Sequence, residues 1–168
     1  IDARPAGEWI TDAGGGRTYA VDIFRVRGGK RHWYSLNCNG KLVSTKGATT
    51  TAARDSIQWL GNIRAAAPKE TVCPSWEYND VRFDAFILNP VDRFLSTDAP
   101  GWRTNKGVEL NAPPIQEIIA ERIGSEGFAS RFAAVLVPTK GAIQTVTSAC
   151  IAAGEASGDA MLIEVNRA

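Results

Sequence analysis

A set of aromatic and polar side chains between residues 22 and 37 has the chemistry of a glycan-binding surface. Aromatic rings offer apolar faces on which a sugar ring can stack, while carboxylate, hydroxyl and amide groups hydrogen-bond to sugar hydroxyls. The candidates are Asp22, Phe24, Trp33, Ser35 and Asn37. The alternative interpretation is that Phe24 and Trp33 belong to the core and pack against a second sheet.

A basic stretch surrounds these candidates. Between Ile23 and Arg54 the chain has seven Lys or Arg residues and no Asp or Glu. Such a surface can attract a polyanion, and arginine can bind it through bidentate hydrogen bonds, but basic residues also protect edge strands from aggregation. The whole chain has 19 basic and 18 acidic residues, so its net charge of +1 does not call for nucleic acid. The cations considered are Arg25, Arg27, Lys30 and Arg31, followed by Lys41 and Lys46.

Few residues are candidates for catalysis or metal binding. His32 is the only histidine, and a position near a turn opposite Arg25 predicts an exposed side chain without a catalytic partner. Cys38, Cys73 and Cys150 are too scattered for a zinc site or a disulfide framework, although one bridge plus a free thiol stays open. We therefore predict no catalytic residue, no metal and no cofactor within this chain.

The elements that must position the candidates are two strands on either side of Gly28 and Gly29. Two glycines can both take positive φ, which predicts a β-hairpin with a two-residue loop. In that register Phe24 is opposite Trp33. One face of the hairpin is then apolar and consists of Tyr19, Val21, Ile23, Tyr34 and Leu36, and the other consists of Asp22, Phe24, Trp33, Ser35 and Asn37.

The rest of the chain predicts an all-β fold, an antiparallel β-sandwich with at most one or two short helices. Strand patterns separated by Gly and Pro turns occur at residues 8–11, 76–88, 128–137, 143–151 and 160–165. Residues 37–51 predict a surface loop and residues 56–66 a short helix, whereas residues 115–123 suit either a helix or a buried strand. In the last strand, Met161, Ile163 and Val165 share one side.

The length and composition suit one globular domain. With 168 residues, 44% hydrophobic and 22% charged, we expect residues 1–168 to form a single β-sandwich domain or a segment of a larger protein. Residues 1–16, which end in three glycines, predict a flexible N-terminal segment. Ile1 is not a natural initiator, so we expect that the chain follows a cleavage or is cut from a longer one. No apolar run approaches the ~20 residues of a membrane span.

Four motifs together resemble the β-sandwich portion of heparinase II/III-like polysaccharide lyases. Residues 19–29 (YAVDIFRVRGG) and 32–36 (HWYSL) are similar to a V-D-x-F-R-V strand, a Gly-Gly turn and an H-x-Y-S return strand of that family. Residues 118–122 (IIAER) and 130–138 (SRFAAVLVP) are similar to two of its later segments. Asn37 and Val137 depart from the family pattern, which has His and Glu at these places.

The resemblance implies that this chain is the sandwich portion of a larger lyase that cleaves a uronate-containing anionic polysaccharide, such as a glycosaminoglycan, by β-elimination. It implies an N-terminal α/α-toroid portion in the parent chain, a secreted or periplasmic location, and a strand rather than a helix at residues 115–123. The family's catalytic groups belong largely to segments outside this chain, so none is transferred.

Our predicted function is therefore a scaffold and one wall of a glycan cleft. The alternatives are a stand-alone, non-catalytic carbohydrate-binding or surface-interaction domain, and a small stand-alone enzyme. We expect neither nucleic acid nor a membrane as partner. The residues predicted to bind substrate are Asp22, Phe24, Arg25, Arg27, Lys30, Arg31, Trp33 and Asn37.

Overall fold

The computed structural model describes residues 2–11, 18–88, 91–101, 113–141, 146–153 and 161–167. These residues form an all-β fold without helices, as predicted. The strands are β1 (Asp2–Thr11), β2 (Thr18–Arg27), β3 (Arg31–Asn37), β4 (Lys41–Lys46), β5 (Thr51–Ala52), β6 (Gly61–Ala66), β7 (Cys73–Tyr78), β8 (Val81–Ile87), β9 (Arg93–Ala99), β10 (Ile115–Ile123), β11 (Ala129–Lys140), β12 (Val146–Ala153) and β13 (Leu162–Arg167).

The strands form two packed sheets and a covering ribbon. The six-stranded sheet has the order β1-β2-β11-β8-β7-β4, the five-stranded sheet has the order β3-β10-β9-β6-β5, and β12 pairs with β13. Trp76, Phe94, Ile118 and Phe132 are buried in the main core. Alternate residues of β2, β8 and β11 lie on the other face of the six-stranded sheet, where the β12–β13 ribbon packs on them through side chains that include the predicted set of Met161, Ile163 and Val165.

β2 and β3 do not form the predicted hairpin, although Gly28 and Gly29 do have positive φ angles of 94° and 82°. β2 pairs with β1 and β11, whereas β3 pairs with β10 at the edge of the five-stranded sheet. The two strands therefore face each other across the core. The rings of Phe24 and Tyr34 lie 6.1 Å apart, and the Tyr34 hydroxyl donates to Asp22 Oδ2 over 2.8 Å.

Backbone hydrogen bonds at one end of the sandwich explain why the two strands separate. The β2–β3 turn and the β10–β11 connection both pass from one sheet to the other there, and they bond to each other. The Gly28 N–H donates to Phe128 O (3.0 Å), and the Gly127 N–H donates to Gly29 O (3.1 Å). Turn groups that a hairpin would pair internally are thus satisfied by the second connection.

Several local predictions can be compared with these strands. The helix predicted at residues 56–66 is wrong, because Trp59 and Asn62 have positive φ angles of 72° and 49° and β6 begins at Gly61. The loop predicted at residues 37–51 contains β4, which pairs with β7. Residues 115–123 form strand β10, as the resemblance implied.

Part of the N-terminal segment is a strand, and four of the other predicted strands are present. Within the stretch expected to be flexible, Asp2–Thr11 forms β1 and pairs with β2 along its whole length; the rest of that stretch lies outside the described residues. Strands within residues 76–88, 128–137, 143–151 and 160–165 are confirmed by β8, β11, β12 and β13.

Candidate functional site

The eight residues predicted to bind substrate lie in three places, because β2 and β3 belong to different sheets. The group turned into the space between the sheets is Asp22 and Phe24. The group exposed on the outer face of the six-stranded sheet and in the adjoining turn is Arg25, Arg27 and Lys30. The group exposed along β3, on the outer face of the five-stranded sheet, is Arg31, Trp33 and Asn37. The core interpretation is therefore correct for Phe24, whereas Trp33 is 40% exposed.

The surface formed by β3 is the best candidate site. We define the Trp33 face as the four outward side chains of this strand, Arg31, Trp33, Ser35 and Asn37, which alternate with inward-facing His32, Tyr34 and Leu36. Since β3 is the edge strand of this sheet in the part of the chain that the structure describes, the face lies at the margin of the sheet. A flat indole beside hydroxyl and amide groups suits a sugar ring.

A fully buried carboxylate holds the Trp33 face in place. Glu121 of β10 is opposite Trp33 and has no exposed surface. Its Oε1 accepts a hydrogen bond from Trp33 Nε1 (2.8 Å) and forms an ion pair with Arg31 Nε (2.8 Å). Its Oε2 contacts Arg93 Nη1 (3.3 Å). Because both oxygens are occupied by protein donors, Glu121 orients the indole and the guanidinium rather than acting on a ligand.

Arg93 links this carboxylate to a loop that covers the neighbouring strands. It binds Asp55 through two hydrogen bonds, Nη1 to Oδ1 (3.1 Å) and Nη2 to Oδ2 (2.5 Å). The hydrogen bond from Arg93 lowers the pKa of Asp55, and the same bond raises the pKa of Arg93. A bidentate pair of this kind fixes the loop at residues 53–60 against the sheet.

Sequence reasoning missed Glu121, Arg93 and Asp55. One signal was available: Glu121 follows three apolar residues in the run Ile118-Ile119-Ala120. A carboxylate within a buried strand must be paired. Nothing in the sequence indicates that its partners come from β3 and β9, since those contacts depend on the strand order.

Arg25, Arg27 and Lys30 of the basic stretch lie toward the end of the sandwich where the β2–β3 turn crosses, whereas Lys41 and Lys46 lie on β4 at the far edge of the six-stranded sheet. Arg25 and Arg27 alternate with Phe24 and Val26 and are exposed. Lys30 Nζ lies 3.9 Å from Glu126 Oε2. Both side chains are largely exposed, so this ion pair is weak.

His32 is buried, and the expectation of an exposed side chain is wrong. Its Nε2 lies 2.7 Å from the Gly28 carbonyl and its Nδ1 lies 2.6 Å from Ser130 Oγ. The carbonyl can only accept, so Nε2 carries the proton and, in the neutral ring, Nδ1 accepts from the serine hydroxyl. The imidazole also stacks on Phe128, 4.0 Å between ring centres. His32 thus joins the two crossing connections and offers no free nitrogen to a substrate.

We expect His32→Ala to lower the free energy of unfolding by about 1–3 kcal/mol, because the Gly28 carbonyl and the Ser130 hydroxyl lose a buried partner. Urea denaturation measures the change. Arg27→Ala, at an exposed position on the same turn, is the control and should cost less than about 0.5 kcal/mol. Equal losses in the two variants would mean that the imidazole does not connect the β2–β3 turn to β11.

In the described ranges, neither the cysteines nor the acidic residues form a further candidate site. Cys38, Cys73 and Cys150 are all unbridged. Burial raises the pKa of the Cys73 thiol to about 11, which makes it a poor nucleophile. No group of three or more His, Cys, Asp or Glu side chains among the described residues could hold a metal ion. In the same residues, no helix has the length and apolar character needed to cross a membrane.

No family model matches the chain, and no curated protein matches it.

Proposed function

We propose that this chain binds an anionic, uronate-containing polysaccharide on the Trp33 face, as the β-sandwich portion of a lyase of the heparinase II/III type. The motif resemblance supports the lyase context, and the all-β fold agrees with it. In this proposal the chain forms one wall of the glycan cleft. The groups for β-elimination come from a toroid portion of the parent protein.

The observation that carries the proposal is the exposed but immobilised Trp33. Its indole N–H is held by a buried carboxylate, while 40% of the residue stays accessible. An aromatic ring fixed in this way loses little conformational freedom when a sugar stacks on it. Ser35, whose hydroxyl donates to Glu117 Oε1, and Asn37 continue along the same strand. The Asn37 amide can hydrogen-bond to the next hydroxyl, and the Ser35 oxygen can still accept a hydrogen bond.

The position of the cations accounts for a preference for anionic glycans. Arg31 is charged but already compensated by Glu121, so it contributes mainly direct hydrogen bonds. Lys30 lies in the turn that leads into β3 and pairs weakly with Glu126, whereas Arg25 and Arg27 are exposed on the opposite outer face of the sandwich and contribute to the field at longer range. Such exposed charges are screened over about 8 Å at physiological salt, so binding should weaken as salt rises.

His32 does not serve as the base in this proposal. Removal of the uronate C5 proton requires a nitrogen or oxygen that can reach the substrate. Both ring nitrogens of His32 are hydrogen-bonded inside the protein, to Gly28 and Ser130. The isolated chain should therefore produce no unsaturated uronate, measured as ultraviolet absorbance, from heparin, heparan sulfate or alginate. A clear rise with pure protein would contradict the assignment of catalysis to another portion.

Replacing Trp33 with alanine should weaken heparin binding by about 10-fold, as expected for the loss of one stacking platform. Titration calorimetry at low and physiological salt measures it. Tyr78→Ala removes another exposed aromatic residue, 57% accessible at the end of β7, and is the matched control. An Arg25→Ser/Arg27→Ser variant should lose affinity mainly at low salt.

Each outcome of this experiment has a distinct meaning. Neutral glucans should bind weakly to every variant, because they lack the charge that Arg25 and Arg27 attract. If Tyr78→Ala weakens binding and Trp33→Ala does not, the glycan site is on the six-stranded sheet. If the parent protein binds no glycan, the proposed function is wrong.

A further inference from the structure

A second exposed tryptophan, Trp59, lies in the loop at residues 53–60. It is 76% exposed. Its neighbours Ile57 and Leu60 pack on Ile63, Leu95 and Ile119. The loop is thus anchored by apolar contacts while its largest side chain remains in solvent.

The backbone at Trp59 adds to the cost of this arrangement. The Leu60 N–H donates to Ile57 O (3.1 Å), so residues 57–60 form a turn with Trp59 at its third position. Its φ of 72° is the left-handed conformation in which a turn normally has glycine. A bulky residue there is strained, and strain of this kind clusters at ligand-binding sites.

A surface depression adjoins the turn. It has a volume of about 510 Å³ and is lined by Ala52, Ala53, Asp55, Leu60, Asn62, Ile63 and Arg64. Asn62 also has a positive φ, 49°, a conformation that asparagine adopts readily. The polar side chains of the depression are held by the protein, Asp55 by Arg93, Asn62 by Asp98 and Arg64 by Thr50, so they present their remaining hydrogen-bonding groups in fixed positions beside apolar side chains.

The loop lies on the same side of the molecule as the Trp33 face. Ile119 packs beneath the loop. It is two residues before Glu121 on β10, so the two side chains lie on the same face of that strand. Asp55 in the loop binds Arg93, Arg93 contacts Glu121, and Glu121 holds Trp33. The two exposed indoles therefore belong to one sheet face joined by a continuous chain of ion pairs and hydrogen bonds.

We propose that Trp59 and the adjoining depression form a second sugar subsite on the glycan-binding face, which engages a different residue of the same polysaccharide from the one on Trp33. This inference rests on the proposed function and extends it to the length of the ligand. A chain long enough to reach both indoles gains affinity from the second contact, and a short one does not.

The test compares a heparin disaccharide with a longer heparin oligosaccharide on Trp59→Gly, Trp59→Ala and Trp59→Phe. Affinity for the longer chain should fall by about 5- to 10-fold in the Gly and Ala variants and be largely retained in the Phe variant. Affinity for the disaccharide should be unchanged. Calorimetry gives both values.

Thermal unfolding separates a lost subsite from a damaged fold. Trp59→Gly should melt about 2–4 °C above Trp59→Ala, because glycine relieves the left-handed strain and alanine does not. If Trp59→Gly is more stable than Trp59→Ala and yet binds the longer chain less well than the parent protein does, the lost affinity comes from a lost ligand contact and not from a damaged fold. Unchanged affinity of Trp59→Gly for the longer chain would overturn the inference.

The outcomes also distinguish this inference from the proposed function. If Trp33→Ala loses affinity and the Trp59 variants do not, only the second subsite is refuted. If the Trp59 variants lose affinity for the longer chain and Trp33→Ala does not, the glycan site centres on the loop and the assignment of Trp33 is wrong. If the parent protein binds neither saccharide, both proposals are refuted and the exposed indole serves another kind of partner.

Discussion

Replacing Glu121 with alanine is expected to lower the free energy of unfolding by about 3–5 kcal/mol, the usual cost of removing one partner from a buried ionic network. Glu121 has no exposed surface and accepts from Arg31, Trp33 and Arg93. Its loss leaves the indole N–H and part of the Arg93 guanidinium without a partner inside the protein. Urea denaturation, with a check that the slope is unchanged, measures the effect.

Glu126→Ala is the matched control for Glu121→Ala. Glu126 follows on the β10–β11 connection, is largely exposed, and lies 3.9 Å from Lys30. Its removal should cost less than about 0.5 kcal/mol. Similar losses in the two variants would show that Glu121 is not the organising carboxylate of the Trp33 face.

The Glu121→Ala variant also tests whether Trp33 must be held in order to bind. Without its hydrogen bond from Nε1, the indole regains rotamer freedom that a stacked sugar must then remove. Heparin affinity should therefore fall even under conditions in which the variant is fully folded. An unchanged affinity would mean that orientation by Glu121 is unnecessary and that Trp33 binds as a freely moving side chain.

Replacing Trp76 with alanine is expected to cost about 3–5 kcal/mol, as for other large buried aromatic residues. Trp76 of β7 is completely buried in the main core. Its Nε1 donates to the Gln116 carbonyl of β10 over 3.1 Å, so the same side chain fills the core and joins the two sheets. The loss combines a cavity with the removal of the hydrogen bond to the Gln116 carbonyl.

Tyr78→Ala on the same strand is the control for Trp76→Ala. Tyr78 is 57% exposed and should change the free energy of unfolding by less than about 0.5 kcal/mol. Trp76→Phe should lie between the two, because it keeps most of the packing and loses the hydrogen bond to Gln116. If Trp76→Phe matched the parent protein, the bond between the sheets would contribute nothing measurable.

The fold class follows from local patterns that are independent of strand order. β8, β11 and β13 show the alternation or apolar runs of buried strands, and the glycines at 28 and 29 have the positive φ angles that the sequence predicted. Each of these depends on neighbours within a few residues. The helix prediction at residues 56–66 failed because Ile57, Leu60 and Ile63 have helical spacing. In the structure these side chains reach one apolar cluster from a turn and from strand β6.

The strand partners, and with them the candidate site, depend on the tertiary structure. Alternation shows that Phe24 and Val26 share a face, as do Tyr34 and Leu36. The same pattern fits two strands hydrogen-bonded side by side in one sheet and two strands that face each other from different sheets. The choice is made by β11, more than 100 residues along the chain, which takes the place beside β2 that a hairpin would give to β3. That choice turns Phe24 into the core and leaves Trp33 exposed on the other sheet, and it buries His32 against Ser130. It also brings Glu121 beneath Trp33, because β3 then pairs with β10.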